Sequence, residues 1–120
     1  MEKIISATAG GTLTDKEGYF VKQSSGTVII VAAATDRPAG VIVSGAASGS
    51  ELSLALPGSI QPVKLNGTVA KHQEIQVESD GSVIANAGTG ARCVVGQMLE
   101  AGVAGDLKRA LIYSPEYYSA

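Results

Sequence analysis

The chain has no tryptophan, one phenylalanine, one cysteine and one histidine in 120 residues, and each scarcity closes a route to function. Cys93 and His72, alone of their kinds, cannot assemble a disulfide framework or a Cys/His zinc cluster within one chain. Nine Lys and Arg stand against eleven Asp and Glu, for a net charge of −2 and a pI near 5.3. With no basic field to collect phosphates, nucleic acid is not an expected partner. Long hydrophobic runs are also missing: the longest, residues 28–34, has seven residues, and Met1-Glu2-Lys3-Ile4-Ile5-Ser6 lacks the apolar core of a signal peptide. A soluble, unprocessed protein with no membrane partner is expected.

Catalytic patterns are equally sparse. His72 sits in the polar turn His72-Gln73-Glu74 and reads as an exposed loop residue, with no nucleophile-elbow pattern to pair it with a serine. Cys93, between Arg92 and Val94, reads as a small buried hydrophobe at a strand start in preference to an activated thiolate. Glu74 and Glu78 alternate with Ile75 and Val77, which puts both carboxylates on a solvent face and not in an acid/base pair. The Gly-rich stretch from Gly40 to Gly49 has neither a GK[ST] ending nor G-x-G-x-x-G spacing, and no helical periodicity follows it, so it reads as a strand-linking turn. No cofactor and no enzymatic activity are expected.

What is present is a glycine-punctuated β pattern. The hydrophobic fraction is 45%, the mean hydropathy is +0.21, and fifteen glycines recur without a three-residue period, as in a globular chain with many tight turns. Apolar and polar residues alternate with period two in Glu51-Leu52-Ser53-Leu54-Ala55-Leu56 and Glu74-Ile75-Gln76-Val77-Glu78. Further strands are expected over residues 19–22, 27–32, 40–44, 60–65, 82–85, 94–99 and 107–113. Ser24-Ser25-Gly26 and Ser79-Asp80-Gly81 read as hairpin turns, and residues 97–104 as at most a short helical turn, because Gly96, Gly102 and Gly105 crowd them.

Sliding the chain against itself reveals a weak repeat. At an offset of 55, residues 20–37 fall on 75–92, matching Ser24 with Ser79, Gly26 with Gly81, Val28 with Val83, Ile29 with Ile84 and Arg37 with Arg92; at 56, Gly40 meets Gly96 and Gly49 meets Gly105. Two such units, each too small to bury its own apolar face, are expected to pack together with residues 60–65 as a bridge. The expected fold class is all-β, a small β-barrel or β-tulip-like domain built from two pseudo-repeated strand units.

Interaction surfaces are expected at both ends. The last residues, Tyr113-Ser114-Pro115-Glu116-Tyr117-Tyr118-Ser119-Ala120, hold three of the five aromatics at and beyond the end of the last expected strand, where no core requires them. At the other end, Ile4-Ile5 followed by Gly10-Gly11 reads as an arm that adds a strand to a partner's sheet edge. This divides the chain into an arm at 1–17, a β domain at 18–113 and a tail at 114–120. The candidate partner-binding residues are Ile4, Ile5, Thr12, Tyr113, Tyr117 and Tyr118. Removal of residues 1–12 is expected to leave the β domain folded.

The order of segments resembles a known family. Tyr19-Phe20-Val21-Lys22, Asp36-Arg37-Pro38-Ala39-Gly40-Val41, Gly45-Ala46-Ala47-Ser48-Gly49, Gly67-Thr68-Val69-Ala70-Lys71, Asp80-Gly81, Val95-Gly96-Gln97-Met98-Leu99-Glu100-Ala101 and Ala104-Gly105-Asp106-Leu107 together resemble the capsid cement, or head-decoration, proteins of tailed bacteriophages. The resemblance spans residues 18–112; the chain departs from it at His72-Gln73, where the family often has Gly-Asp. It implies a virion protein made in the host cytoplasm that caps the outer capsid surface, commonly as a homotrimer, and ties neighbouring major capsid protein subunits together after the shell expands. Many weak contacts acting at once suit such a clamp. A carrier or carbohydrate-binding β-module is the alternative: Lys71 in Val69-Ala70-Lys71 is similar to the lysine of swinging-arm carrier hairpins, without their flanking Met.

Overall fold

The computed structural model describes residues 3–118, which form ten strands and no helix. They are β1 (Ile4–Thr8), β2 (Phe20–Ser24), β3 (Thr27–Ile30), β4 (Gly40–Ser44), β5 (Glu51–Ala55), β6 (Ile60–Lys64), β7 (Glu74–Val77), β8 (Val83–Ala85), β9 (Arg92–Met98) and β10 (Leu107–Tyr118). Two five-stranded antiparallel sheets result, with orders β1-β5-β4-β2-β3 and β6-β10-β9-β7-β8. The second order is the first advanced by five strands. The all-β class and the two-unit construction therefore hold.

The repeat extends further than the sequence match. Ile4 pairs with Ala55 as Ile60 pairs with Leu111, and Thr8 with Glu51 as Lys64 with Leu107, an offset of 56. Residues 60–65, expected as a bridge between units, instead supply the first strand of the second unit. On β2 the structural offset is 54, since Val21 faces Gly40 as Ile75 faces Gly96. The β7–β8 turn holds one residue more than the β2–β3 turn, which brings Val28 onto Val83 at 55. The expected hairpin turns are present: Ser25 and Gly26 have φ of 52° and 84°, and Gly81 has 85°.

Each sheet curls until its edge strands meet, but neither closes into a barrel. β1 and β3 touch at one parallel bridge, Ala9 to Val28, where the Gly10 N–H donates to the Val28 carbonyl (2.7 Å). β6 and β8 touch at Leu65 to Val83, where the Asn66 N–H donates to the Val83 carbonyl (2.8 Å). Away from these bridges the edges stand apart, and each unit keeps an open side.

Two cores follow from the pleat. Val21, Val28, Ile42, Leu52 and Leu54 fill the curl of the first unit together with Ala9 and Leu13. Phe20, Val41 and Ala55, on the opposite face of the same strands, join Val63, Val77, Val83, Val95, Met98 and Ile112 in the second core. The run Val41-Ile42 is apolar without alternation because β4 is buried on both faces, Val41 toward the second unit and Ile42 inward. Full burial of each such side chain contributes about 1.5–3 kcal/mol. Gly40 and Gly96 match across the repeat for one reason: a Cβ at Gly40 would lie 2.7 Å from the Ala55 carbonyl oxygen, and one at Gly96 would lie 2.5 Å from that of Leu111.

The first and last described segments both belong to the sheets. Residues 4–8, expected as an arm, form edge strand β1 on β5; Ile4-Ile5-Ser6-Ala7-Thr8 lacks clear alternation because its apolar residues are adjacent. The last strand, expected to stop at residue 113, continues to Tyr118, where Glu116, Tyr117 and Tyr118 pair with Val94, Cys93 and Arg92. Pro115 falls within the register shift between Ile112 and Glu116, a bulge where no ladder bond is required of it. Residues 97 and 98 end β9 and residues 99 and 100 form a bend, with no helix among residues 97–104. Residues 1–2 and 119–120 of the expected arm and tail lie outside the described residues.

Candidate functional site

Groups suited to chemistry are scattered. Cys93 is fully buried on β9, and burial pushes its thiol up. His72 is exposed on the turn before β7 with φ of 70°, a left-handed conformation that Gly18 (φ 87°) adopts at the matching place in the first unit. Gly18 N–H donates to the Ile42 carbonyl and His72 N–H to that of Met98, so the repeat itself imposes the His72 backbone. Glu74 is exposed and Glu78 half-buried, whereas Gln76 between them is buried and its Oε1 accepts from the Ala87 N–H (2.8 Å). Among the described residues no three His, Cys, Asp or Glu side chains converge as metal ligands.

The six candidate binding residues separate into two regions. Ile4 and Ile5 are each 45% exposed on β1, the free edge of the first sheet, and Thr12 is exposed just beyond the Ala9 bridge. Beside them the open side of the first unit forms a groove of about 360 Å³, with Ile5, Ser6, Ala7 and Thr8 on one wall and Gln23, Gly26, Thr27 and Val28 on the other. A single sequence cue to this groove existed, the match of residues 4–12 with 60–68 at an offset of 56, in which Thr12 falls on Thr68.

The tyrosines lie in the second unit. Tyr113 is half-buried, and burial together with the nearby Glu74 charge pushes its phenol up. Tyr118 donates to the Glu116 carboxylate, which raises its phenol, and its ring lies 4.5 Å from the Arg92 guanidinium. Arg92 in turn donates from Nε to Asn86 Oδ1 (2.8 Å) and from Nη1 to the Gly90 carbonyl (2.9 Å), which fastens the 86–91 loop to the end of β10. Neighbouring Leu111, Gln97 and Glu74 share one outward register across β10, β9 and β7, half-buried to exposed. The matching face of the first unit is Ala55, Val41 and Phe20, which is fully buried.

The fold is thus of a definite class, two tandem curled sheets with the outer face of the first set against the open side of the second. No known family model and no curated protein sequence matches the chain. Among solved structures it is similar to the head fiber gp8.5 N base of bacteriophage phi29, with a TM-score of 0.68 and 18% identity over 97% of this chain and 98% of that one. The likeness takes in both units and both terminal strands.

Proposed function

We propose that the protein is a structural component of a tailed-phage virion that decorates the outer capsid surface and stabilises the expanded shell by clamping neighbouring major capsid protein subunits, as a self-associated homotrimer. The observation that carries this reading is the end-to-end likeness to a phage head fiber base, which joins the ordered resemblance of residues 18–112 to head-decoration proteins. The architecture supports it physically. A β scaffold with free edges and few titratable clusters is suited to holding surfaces together, and repeated copies on a shell raise one another's effective concentration. The exposed Ile4 and Ile5 at the start of β1 are the residues assigned to the shell, where an extended segment of capsid protein would pair beside this end of the strand and leave the Thr8 end open. Tyr113, Tyr117 and Tyr118 are assigned to contacts between subunits. Because β1 is a strand of the first sheet, the test uses point variants and not removal of residues 1–12. Purified protein is mixed with undecorated expanded capsids and sedimented: wild type co-sediments at a saturating ratio, whereas Ile4→Asp/Ile5→Asp remains folded and stays in the supernatant. Wild type left in the supernatant overturns the proposal; equal binding by the variant overturns the assignment of the β1 edge.

A further inference from the structure

The joint between the two units has a vacant counterpart. Within the chain, residues 18–20 cross the open side of the second unit: the Gly18 carbonyl accepts from the Lys64 N–H of β6 (2.9 Å), and the Phe20 N–H donates to the Gly81 carbonyl in the β7–β8 turn (2.9 Å). The Phe20 side chain, 1% exposed, enters the same core as Val63, Val77 and Val83. By the repeat, Lys64 corresponds to Thr8 and Gly81 to Gly26, both walls of the groove in the first unit. Gly18 and Phe20 correspond to His72 and Glu74 on the exposed face of the second.

We infer that this groove receives the residue 72–74 edge of a second copy of the chain, in the same way that the second unit receives residues 18–20 within one copy. The inference rests on the self-association proposed above and gives it a geometry. Each chain then offers one groove and one inserting edge, a heterologous contact that continues from copy to copy and closes as a ring. Backbone polarity fits. The Ala9 N–H donates to Ser50 on the β5 side, so by strand alternation the Thr8 N–H points into the groove, as the Lys64 N–H points to Gly18 while that of Leu65 donates to Asp106. Its acceptor is the carbonyl of His72 of the partner subunit, an oxygen that also accepts from Gln97 Nε2 within its own chain (3.0 Å). The side chains differ from the internal joint on both halves at once: Glu74 stands where the first unit has Phe20, and Gln23 stands where the second has Val77. A surface exposed in the free chain has exchanged apolar packing for polar contact on each side.

The test is the mass of the full chain in solution by sedimentation velocity. Thr8→Pro removes the groove donor without touching the β5 ladder, and Glu74→Pro removes the donor of the inserting edge. Each alone is monomeric, and mixed they form a 1:1 dimer, because one retains the edge and the other the groove. If Thr8→Pro fails to fold, Gln23→Glu replaces it: its carboxylate in the groove repels the inserting Glu74 and leaves every backbone donor of β1 in place. Gln23→Val/Glu74→Phe rebuilds the internal joint on the outside and lowers the self-dissociation constant at least tenfold. Proline variants that assemble as wild type does, or a mixture of folded variants that stays monomeric, overturn the head-to-tail joint and leave self-association standing. A chain that is monomeric in every form, Gln23→Val/Glu74→Phe included, overturns both.

Discussion

Replacing Phe20 with alanine removes the one large side chain that the first unit inserts into the core of the second. The ring is 1% exposed, and its neighbours belong to hydrogen-bonded strands that relax only partly, so the loss falls in the range for buried Phe→Ala, about 3–5 kcal/mol. Against a total stability of about 5–15 kcal/mol, that is a large share. At about 3–5 °C per kcal/mol for a domain of this size, the melting temperature drops by about 10–25 °C. The inner core of the first unit, Val21, Ile42, Leu52 and Leu54, does not include Phe20. Loss of the joint therefore also weakens the coupling between units, and the urea transition broadens. Thermal and urea unfolding followed by circular dichroism measure both effects. A Phe20→Ala protein that loses less than about 1 kcal/mol and keeps a single sharp transition refutes the view that this residue joins the units.

Other consequences can be checked on the same protein. Gly40→Ala and Gly96→Ala each force a Cβ against a strand carbonyl and cost about 1–3 kcal/mol, whereas Gly11→Ala, with open space around it and no positive φ, is neutral or stabilises by up to about 1 kcal/mol in the same melts. His72→Gly relieves a left-handed non-glycine residue and raises stability by about 1 kcal/mol. Asp36 accepts from Lys22 (2.9 Å) and from the Ala32 and Ala33 amides; the Lys22 hydrogen bond leads in holding its carboxyl below 3.8, with burial opposing. The folded state therefore binds the proton less well than the unfolded chain. The contribution is present above pH 3.8 and is lost as pH falls through the lowered value, so Asp36→Asn flattens the acid limb of a plot of melting temperature against pH. Cys93, buried with its thiol pushed up, reacts with a disulfide reagent only as fast as the native protein opens.

Much of the fold was legible because the pleat writes itself into the residues. Glu51-Leu52-Ser53-Leu54 alternates because β5 has one wet and one buried face along that stretch, and both Gly-bearing hairpin turns carry their positive φ where the chain places glycine. β1 escaped strand assignment because Ile4 and Ile5 are adjacent apolar residues on a half-exposed edge, which reads as an arm when pairing partners 50 residues away are unseen. β10 ran past its expected end because Pro115 looks like a terminator, yet a bulge accommodates it. Offset 55 matched β3 and misplaced β2 by one residue, since the extra residue sits in the β7–β8 turn and local similarity cannot locate an insertion. The candidate site was legible residue by residue but not as a surface. Ile5 stands out in the sequence as part of an apolar pair on a strand-adding arm; that it shares a groove with Gln23 and Gly26 follows only from the curl of the sheet.

The proposed role of this chain at a phage shell is read most directly by electron cryomicroscopy of capsids with the protein added back. Protrusions of the two-unit shape, in fixed stoichiometry with the shell lattice and seated through the β1 edge, are the predicted result. Capsids that remain bare at saturating protein, or density bound without lattice register, contradict it.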